Sequence, residues 1–243
     1  MPTGLLLIHA FPLDARMWEH QLGTFGGRLP VVAPHLPGFG GTDGPEVLTM
    51  SLAAERCVHA LDEAGIDDAV VCGLSMGGYV AFELWRAARP RVAALVLANT
   101  RAEPDAPEGA AARRALAERL KTEGNDFLVA EPPPLLSDGA PDELWRRVKA
   151  MIADQTPAAI AAASVGMAER PDSVPDLPGI DVSSLVITGT RDRLIPPDVT
   201  AGIATGVAGA QLVRIEGAGH LSNLEAPGEF NTALEGLLTR AGL

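Results

Sequence analysis

The chain has 243 residues, 47% of them hydrophobic, and its formal net charge at pH 7 is −12. This length suits one large hydrophobic core and is too short for two ordinary domains with a linker. The negative charge argues against nucleic acids and anionic membranes as partners, because their phosphate groups would repel the protein. Aromatic residues make up only 4% of the chain, so we expect an aliphatic core and a pocket with few stacking surfaces.

The sequence shows no pattern typical of export, membrane insertion or metal binding. The first residues lack the basic start and apolar stretch of a signal peptide. No apolar run reaches the ~20 residues that span a bilayer. Cys57 and Cys72 lie in different predicted elements, so we interpret them as small buried hydrophobic residues and not as a disulfide or metal pair. We therefore expect a cytoplasmic protein that uses no metal and no cofactor.

Short apolar runs alternate with longer helical patterns along the chain. The runs are continuously apolar, which is typical of strands in a parallel sheet that is covered on both faces. The repeated alternation predicts a doubly wound, mostly parallel α/β sheet. The predicted strands span residues 5–8, 31–33, 69–72, 93–98, 185–188 and 211–215. The predicted helices between and after them span residues 51–64, 76–88, 197–207 and 230–239.

One long segment interrupts this alternation. Residues 101–180 contain no convincing strand and show helical patterns at 110–122, 142–154 and 157–169, separated by proline-rich joints. We therefore predict an α/β core over residues 1–100 and 181–243, with a helical lid over residues 101–180. The alternative is a set of packing helices that has no gating role.

A candidate nucleophile lies between a predicted strand and a predicted helix. Gly73-Leu74-Ser75-Met76-Gly77 fits the pattern G-x-S-x-G, which places a serine on a sharp strand-to-helix turn. The glycines leave room for neighbouring backbone, and the helix start supplies free N–H groups beside a developing oxyanion. The alternative is a glycine-rich turn with an incidental serine.

A serine hydroxyl needs a base, and the base needs an acid to orient it. Of the five histidines, His220 lies between the last predicted strand and the final helix, at the edge of the sheet where ligands bind in open α/β folds. Asp192 lies just beyond the preceding strand, and Asp198 is its nearest competitor. We predict Ser75 as nucleophile, His220 as base and Asp192 as acid.

These motifs together resemble the α/β-hydrolases along nearly the whole chain outside the predicted lid. The resemblance covers residues 9–18, the loop 36–40, residues 73–78, Asp192 and residues 217–227. Residues 219–227 look like those of bacterial 3-oxoadipate enol-lactonases, and residues 9–18 are similar to those of bacterial aryl esterases. Some of these esterases act as perhydrolases.

The resemblance implies further assignments. The loop after the first strand resembles the family's His-Gly-x-x loop, which implies that the N–H of Phe11 joins that of Met76 in an oxyanion hole. The lid would follow the sixth family strand, and the first two family strands would be missing. This absence would leave one sheet edge open, and we expect a monomer or a homodimer. Some members carry the acid after the preceding strand, where this chain has Asn99.

Three hypotheses about function follow. The first is a hydrolase of carboxylic esters or lactones that acts on a small acyl substrate through an acyl-enzyme. The second keeps the three catalytic residues for C–C bond hydrolysis, perhydrolysis or a biosynthetic cyclisation. The third is a non-catalytic binding protein. Large apolar side chains near the predicted site and in the lid are candidate pocket walls, with core packing as the alternative for each. They are Phe39, Trp85, Phe127, Leu135, Leu136 and Trp145.

Overall fold

Six parallel strands form one sheet in the computed structural model, which describes residues 3–243. The strand order is β2-β1-β3-β4-β5-β6. All six predicted strands are present, and the mostly parallel α/β architecture is confirmed. The strands are β1 (Thr3–Ile8), β2 (Val31–Val32), β3 (Asp68–Leu74), β4 (Val92–Ala98), β5 (Ser183–Gly189) and β6 (Gln211–Ile215).

Helices cover both faces of the sheet. Successive side chains of a strand point to opposite faces, and because both sets are apolar here, both faces are buried. In β1, Leu5 and Leu7 pack on one side, whereas Leu6 and Ile8 pack on the other. The first side is covered by α1 (Glu19–Phe25), α9 (Ser222–Glu225) and α10 (Pro227–Arg240). The second side is covered by α2 (Met50–Glu63), α3 (Met76–Ala88) and α8 (Pro197–Gly206).

Between β4 and β5 the chain forms helices and no strand, as the sequence pattern predicted. The sequence pattern did not indicate the five-residue helix α5. The four helices are α4 (Pro107–Glu123), α5 (Asp126–Ala130), α6 (Asp142–Ala153) and α7 (Pro157–Ala168). Helix α7 begins where the Thr156 side chain accepts a hydrogen bond from the N–H of Ala159, and a proline occupies its first turn. We call residues 101–180 the helical insertion, and its action as a lid stays a prediction.

The helical insertion is packed into the core of the molecule. Ile160 of α7 lies in the hydrophobic cluster on the α10 side of the sheet, and Met167 lies in the cluster on the α3 side. The backbone N–H of Leu48 donates to the carbonyl of Ala162 at 3.2 Å. A Cβ placed on Gly166 would lie 1.7 Å from the carbonyl oxygen of Leu48, so only glycine permits this approach.

The sheet edge at β2 is short. This strand has two residues, and Pro30 and Pro34 stand on either side of the segment 31–33. Because proline has no N–H, these flanking positions cannot donate to an added strand. The edge is therefore a poor template for pairing with a second chain.

Residues 3–243 include no helix with the length and apolar character needed to cross a bilayer. In the same part of the chain, no three His, Cys, Asp or Glu side chains gather as a candidate metal site. Cys57 and Cys72 are both free and buried, as we expected from their apolar surroundings. Burial raises the pKa of the Cys57 thiol to about 12.

Candidate active site

Ser75 occupies the turn between β3 and α3 with a strained backbone. Its φ is +57° and its ψ is −114°, a conformation that costs a non-glycine residue about 1–3 kcal/mol. Three hydrogen bonds hold the residue there. Its N–H donates to the Ala98 carbonyl at 2.9 Å, and its own carbonyl accepts from the N–H of Gly78 at 2.9 Å and from the Thr100 hydroxyl at 2.8 Å.

Glycines make this turn possible by allowing backbone to approach backbone. A Cβ on Gly73 would lie 2.1 Å from the carbonyl oxygen of Gly77. A Cβ on Gly77 would lie 2.1 Å from the carbonyl oxygen of Ile8 at the end of β1. Both distances are far below van der Waals contact, so the G-x-S-x-G spacing corresponds to two sites where no side chain fits.

His220 and Asp192 form a buried pair on loops that follow neighbouring strands. Asp192 follows β5, His220 follows β6, and Nδ1 of His220 lies 2.8 Å from Oδ2 of Asp192. The neutral imidazole therefore carries its proton on Nδ1, and its Nε2 is an acceptor. Nε2 is buried, and no group in residues 3–243 hydrogen-bonds to it, Ser75 included. Catalytic hydrogen bonds are often long in unliganded enzymes and tighten on binding.

The Asp192 carboxylate is held in its ionised form. Burial alone would raise its pKa, but the hydrogen bonds that it accepts outweigh burial, and the pKa lies below its usual value. The largest opposing contribution comes from His220, and the Asn99 side chain and the N–H of Ile195 add to it. Its Oδ1 accepts from the N–H groups of Leu194 and Ile195, each at 2.9 Å.

Asn99 is a site residue whose role sequence reasoning missed. It follows β4 with a φ of +45°, and its side-chain NH₂ donates to Oδ2 of Asp192 at 2.9 Å. Its side-chain oxygen accepts from the Ser222 hydroxyl at 2.6 Å. Asn99 therefore holds the carboxylate of Asp192, the predicted acid, in place. The available signal was its position directly after a buried strand, at the same sheet edge as Ser75 and Asp192.

The loop that carries His220 is tied to the helical insertion. The Glu225 carboxylate accepts from the N–H of Gly219 at 2.8 Å and from the Ser137 hydroxyl at 2.5 Å. The N–H of Leu221 donates to the carbonyl of Leu135 at 2.9 Å. These bonds fix the backbone on both sides of His220, so the insertion helps to set the position of the imidazole.

The two predicted oxyanion donors lie at the start of α3 and in the loop after β1. Met76 is the first residue of α3, and such N–H groups have no partner within their own helix. Phe11 lies in the loop after β1 and lines the same cavity as Ser75.

His9, at the start of this loop, is buried and hydrogen-bonded through both ring nitrogens. Its Nε2 accepts from the N–H of Leu36 at 3.1 Å, and its Nδ1 lies 3.1 Å from the Ala10 carbonyl. His9 thus braces two loops.

Ser75 lines a cavity of about 300 Å³ between the sheet edge and the helical insertion. The core contributes Phe11 and Tyr79 to its walls, and the insertion contributes Leu135 and Met167. Three charged side chains also line it, namely Arg101, Asp105 and Arg113. The candidate wall residues named from the sequence were all apolar, so these charges are an unexpected feature of the site.

Of the six predicted wall residues, only Leu135 lines this cavity. Phe39 is fully buried and packs edge-on against the His9 ring at 5.2 Å. Trp85 and Leu136 are buried in the two hydrophobic clusters, and Trp145 packs against one of them. Phe127 lies under the Arg119 guanidinium and lines a neighbouring cavity. These five side chains lie in the hydrophobic clusters or pack against them, and a sequence pattern does not distinguish such positions from a pocket wall.

Comparisons with known proteins agree with this geometry. A family model described as the alpha/beta hydrolase family matches residues 5–233. The chain is 30% identical to a pimeloyl-[acyl-carrier protein] methyl ester esterase of Aromatoleum aromaticum, over 95% of this chain and 96% of that protein. It is 28% identical to 3-oxoadipate enol-lactonase 1 of Acinetobacter baylyi, over 97% of this chain and 88% of that protein.

Two solved structures extend the likeness to three dimensions. A thermophilic esterase from Thermogutta terrifontis superposes with a TM-score of 0.95 at 37% identity, over 99% of this chain and 91% of that one. An enol-lactonase from Burkholderia xenovorans LB400 superposes with a TM-score of 0.87 at 26% identity, over 98% of this chain and 92% of that one.

Proposed function

Because the chain belongs to the alpha/beta hydrolase family, we propose that it hydrolyses carboxylic esters or lactones through an acyl-enzyme on Ser75. The observation that carries the proposal is the strained turn that presents Ser75 to the cavity, at the sheet edge whose loops also carry the buried His220–Asp192 pair. The esterases and enol-lactonases among its relatives support the same reaction class.

In the first half of the reaction, Ser75 Oγ attacks the carbonyl carbon and its proton passes to Nε2 of His220. The carbonyl oxygen becomes an oxyanion that accepts hydrogen bonds from the N–H groups of Phe11 and Met76. Collapse of this intermediate breaks the C–O bond, and the leaving alkoxide takes the proton from His220. For a lactone, the new hydroxyl stays attached to the acyl chain.

In the second half, a water molecule attacks the acyl-enzyme while His220 takes its proton. The product acid leaves, and the proton returns to Ser75. The ionised Asp192 stabilises the imidazolium in both halves and keeps the proton of neutral His220 on Nδ1. Asn99 and two backbone N–H groups hold this carboxylate in place.

Replacement of the nucleophile tests the proposal. We expect Ser75→Ala to lower kcat for p-nitrophenyl acetate at least about 10³-fold, because the acyl-enzyme cannot form. The variant should also lose rapid stoichiometric labelling by a fluorophosphonate. Ser51→Ala, which changes an exposed serine of α2, is the matched control and should keep both.

Two outcomes would contradict the proposal. Normal ester turnover by Ser75→Ala would exclude this serine as the nucleophile. Stoichiometric labelling of Ser75 in a protein that turns over neither aryl esters nor lactones would favour a non-catalytic binding protein.

A further inference from the structure

We infer that the esters or lactones hydrolysed at this site carry a carboxylate, and that Arg101 binds it; the inference rests on the proposed function. The Arg101 side chain is partly buried and lines the cavity that Ser75 opens into. A guanidinium presents parallel N–H groups that match the two oxygens of a carboxylate. A substrate of this class would place its charge opposite an arginine for which residues 3–243 provide no ionic partner.

Arg101 has a fixed place relative to the nucleophile. It is the third residue after β4, in the run Asn99-Thr100-Arg101. The first of these residues hydrogen-bonds to Asp192, and the second hydrogen-bonds to the carbonyl of Ser75. The backbone that leads to Arg101 is therefore anchored to both halves of the proposed catalytic machinery, so the Arg101 side chain starts from a well-defined point beside the cavity.

The one carboxylate among the residues that line the cavity, that of Asp105, is already occupied. Asp105 binds Arg170 at 2.9 Å through Oδ1 and Arg113 at 2.5 Å through Oδ2. Burial would raise the pKa of Asp105, but its hydrogen bonds with Arg170 and Arg113 outweigh burial and lower the pKa. The ionised Asp105 therefore balances only one of its two arginines.

The result is a local excess of positive charge in an acidic protein. Arg101 and Arg113 line the cavity and Arg170 lies beside it, whereas Asp105, the one carboxylate among the lining residues, pairs only with Arg113 and Arg170. The carboxylate of Asp192 is directed to His220 and Asn99. Within residues 3–243, no ion pair or side-chain hydrogen bond involves Arg101. A partly buried cation without a partner is costly, and a bound anion would relieve that cost.

A neutral ester would gain nothing from this arrangement, whereas a carboxylate would gain a charge-assisted hydrogen bond. The overall net charge of −12 disfavours the approach of anions from a distance. Selection of an anionic substrate therefore has to arise inside the cavity, where Arg101 lies.

Matched substrate pairs test the inference. Monomethyl adipate and methyl hexanoate differ only by a carboxylate in place of a methyl group on the acyl side. Acetoxybenzoate and tolyl acetate, both para-substituted, differ in the same way on the leaving-group side. We expect the wild type to favour one anionic ester over its neutral partner in kcat/KM, and the favoured pair identifies the side that faces Arg101.

Arg101→Gln should lower that preference about 10-fold or more, since hydrogen bonds to charged groups are the strong ones. Arg101→Lys should keep part of this preference, because lysine retains the positive charge but lacks the parallel N–H groups of the guanidinium. Arg240→Gln removes an exposed arginine at the end of α10 and is the matched control for net charge. Inhibition of p-nitrophenyl acetate hydrolysis by adipate, compared with hexanoate, should show the same dependence on Arg101.

Equal losses for charged and neutral esters in Arg101→Gln, or no preference for either anion in the wild type, would overturn the inference. Both results leave ester hydrolysis by Ser75 intact. Failure of the proposed function has a different signature, since p-nitrophenyl acetate turnover would then be absent or would survive Ser75→Ala.

Discussion

His9 is the residue whose environment makes the sharpest prediction about acid stability. It is completely buried, and its Nε2 accepts a hydrogen bond from a backbone N–H. Burial lowers its pKa from 6.5 to about 4, because the charged ring would lose its hydration and that acceptor. The folded state therefore holds His9 neutral, whereas an unfolded chain protonates it near pH 6.5.

Acidification between pH 6.5 and about 4 should destabilise the protein through this residue. In that range the unfolded state binds a proton that the folded state does not, so the free energy of unfolding falls as pH falls. A shift of this size corresponds to about 3 kcal/mol. His9→Gln keeps a donor and an acceptor without titrating, so its stability should be flatter over this range.

Urea unfolding of the wild type and His9→Gln at pH 7 and pH 4 measures the difference. The lowered pKa values of Asp14, Asp105 and Asp192 act in another window, since their stabilisation is lost only below about pH 4. Parallel pH profiles for the wild type and His9→Gln would show that His9 is not the group responsible.

Some residues of the candidate site could be predicted from the sequence, and others could not. Ser75, Asp192 and His220 each lie within five residues of the end of a predicted strand, so local pattern alone could select them. The Asn99 contact to Asp192 joins residues 93 positions apart, so the position of Asn99 after a strand could place it at the site but could not identify its partner. Arg101 had no signal, because an arginine after a strand is usually solvated. Their roles depend on which loops the sheet order brings together.

At the scale of elements, the contact between α3 and β1 decides whether the serine turn forms. Gly77→Ala would place a methyl group 2.1 Å from the Ile8 carbonyl. We expect destabilisation of about 3 kcal/mol, despite the better helix propensity of alanine. The matched control is Gly202→Ala in α8, where a Cβ meets nothing within 4 Å and should stabilise by about 0.5–1 kcal/mol.

Thermal or urea unfolding of both alanine variants measures these opposite effects. Equal stability changes for the two variants would mean that helix propensity outweighs the close backbone approach at Gly77.

Element bounds were predictable where the pattern was long. The helix predicted at residues 76–88 is observed as Met76–Ala88, and the one predicted at 142–154 ends one residue earlier. The strand predicted at 69–72 extends to Asp68–Leu74, because Gly73 and Leu74 still pair with β4. The helix Asp126–Ala130 spans only five residues, which is too short for an apolar periodicity to emerge.

At the scale of the whole molecule, the helical insertion and the α/β core should unfold together. Residues of α7 belong to the hydrophobic clusters on both sides of the sheet, and Gln155 joins Asp14 at 2.8 Å and Gly40 at 2.9 Å. Such shared burial couples the two parts into one cooperative unit.

A chain in which Trp18→Phe and Trp85→Phe leave Trp145 as its only tryptophan tests this coupling. Trp145 lies on α6, so its fluorescence reports on the insertion, whereas far-UV circular dichroism reports on all helices. We expect the two urea transitions to coincide. A fluorescence midpoint at clearly lower urea would show that the insertion opens on its own.

Because Gly77 lies so close to Ile8, the spacing of the proposed oxyanion donors does not depend on the residues that shape the cavity. This close approach places the start of α3, with Met76, directly against the end of β1, three residues before Phe11. The spacing of the two proposed oxyanion donors is therefore set by backbone alone. Substitutions in the helical insertion can reshape the cavity without disturbing that spacing. Mutation of a cavity-lining residue of the insertion that does not hold the His220 loop, such as Met167, should therefore change substrate preference while the proposed oxyanion hole keeps its spacing.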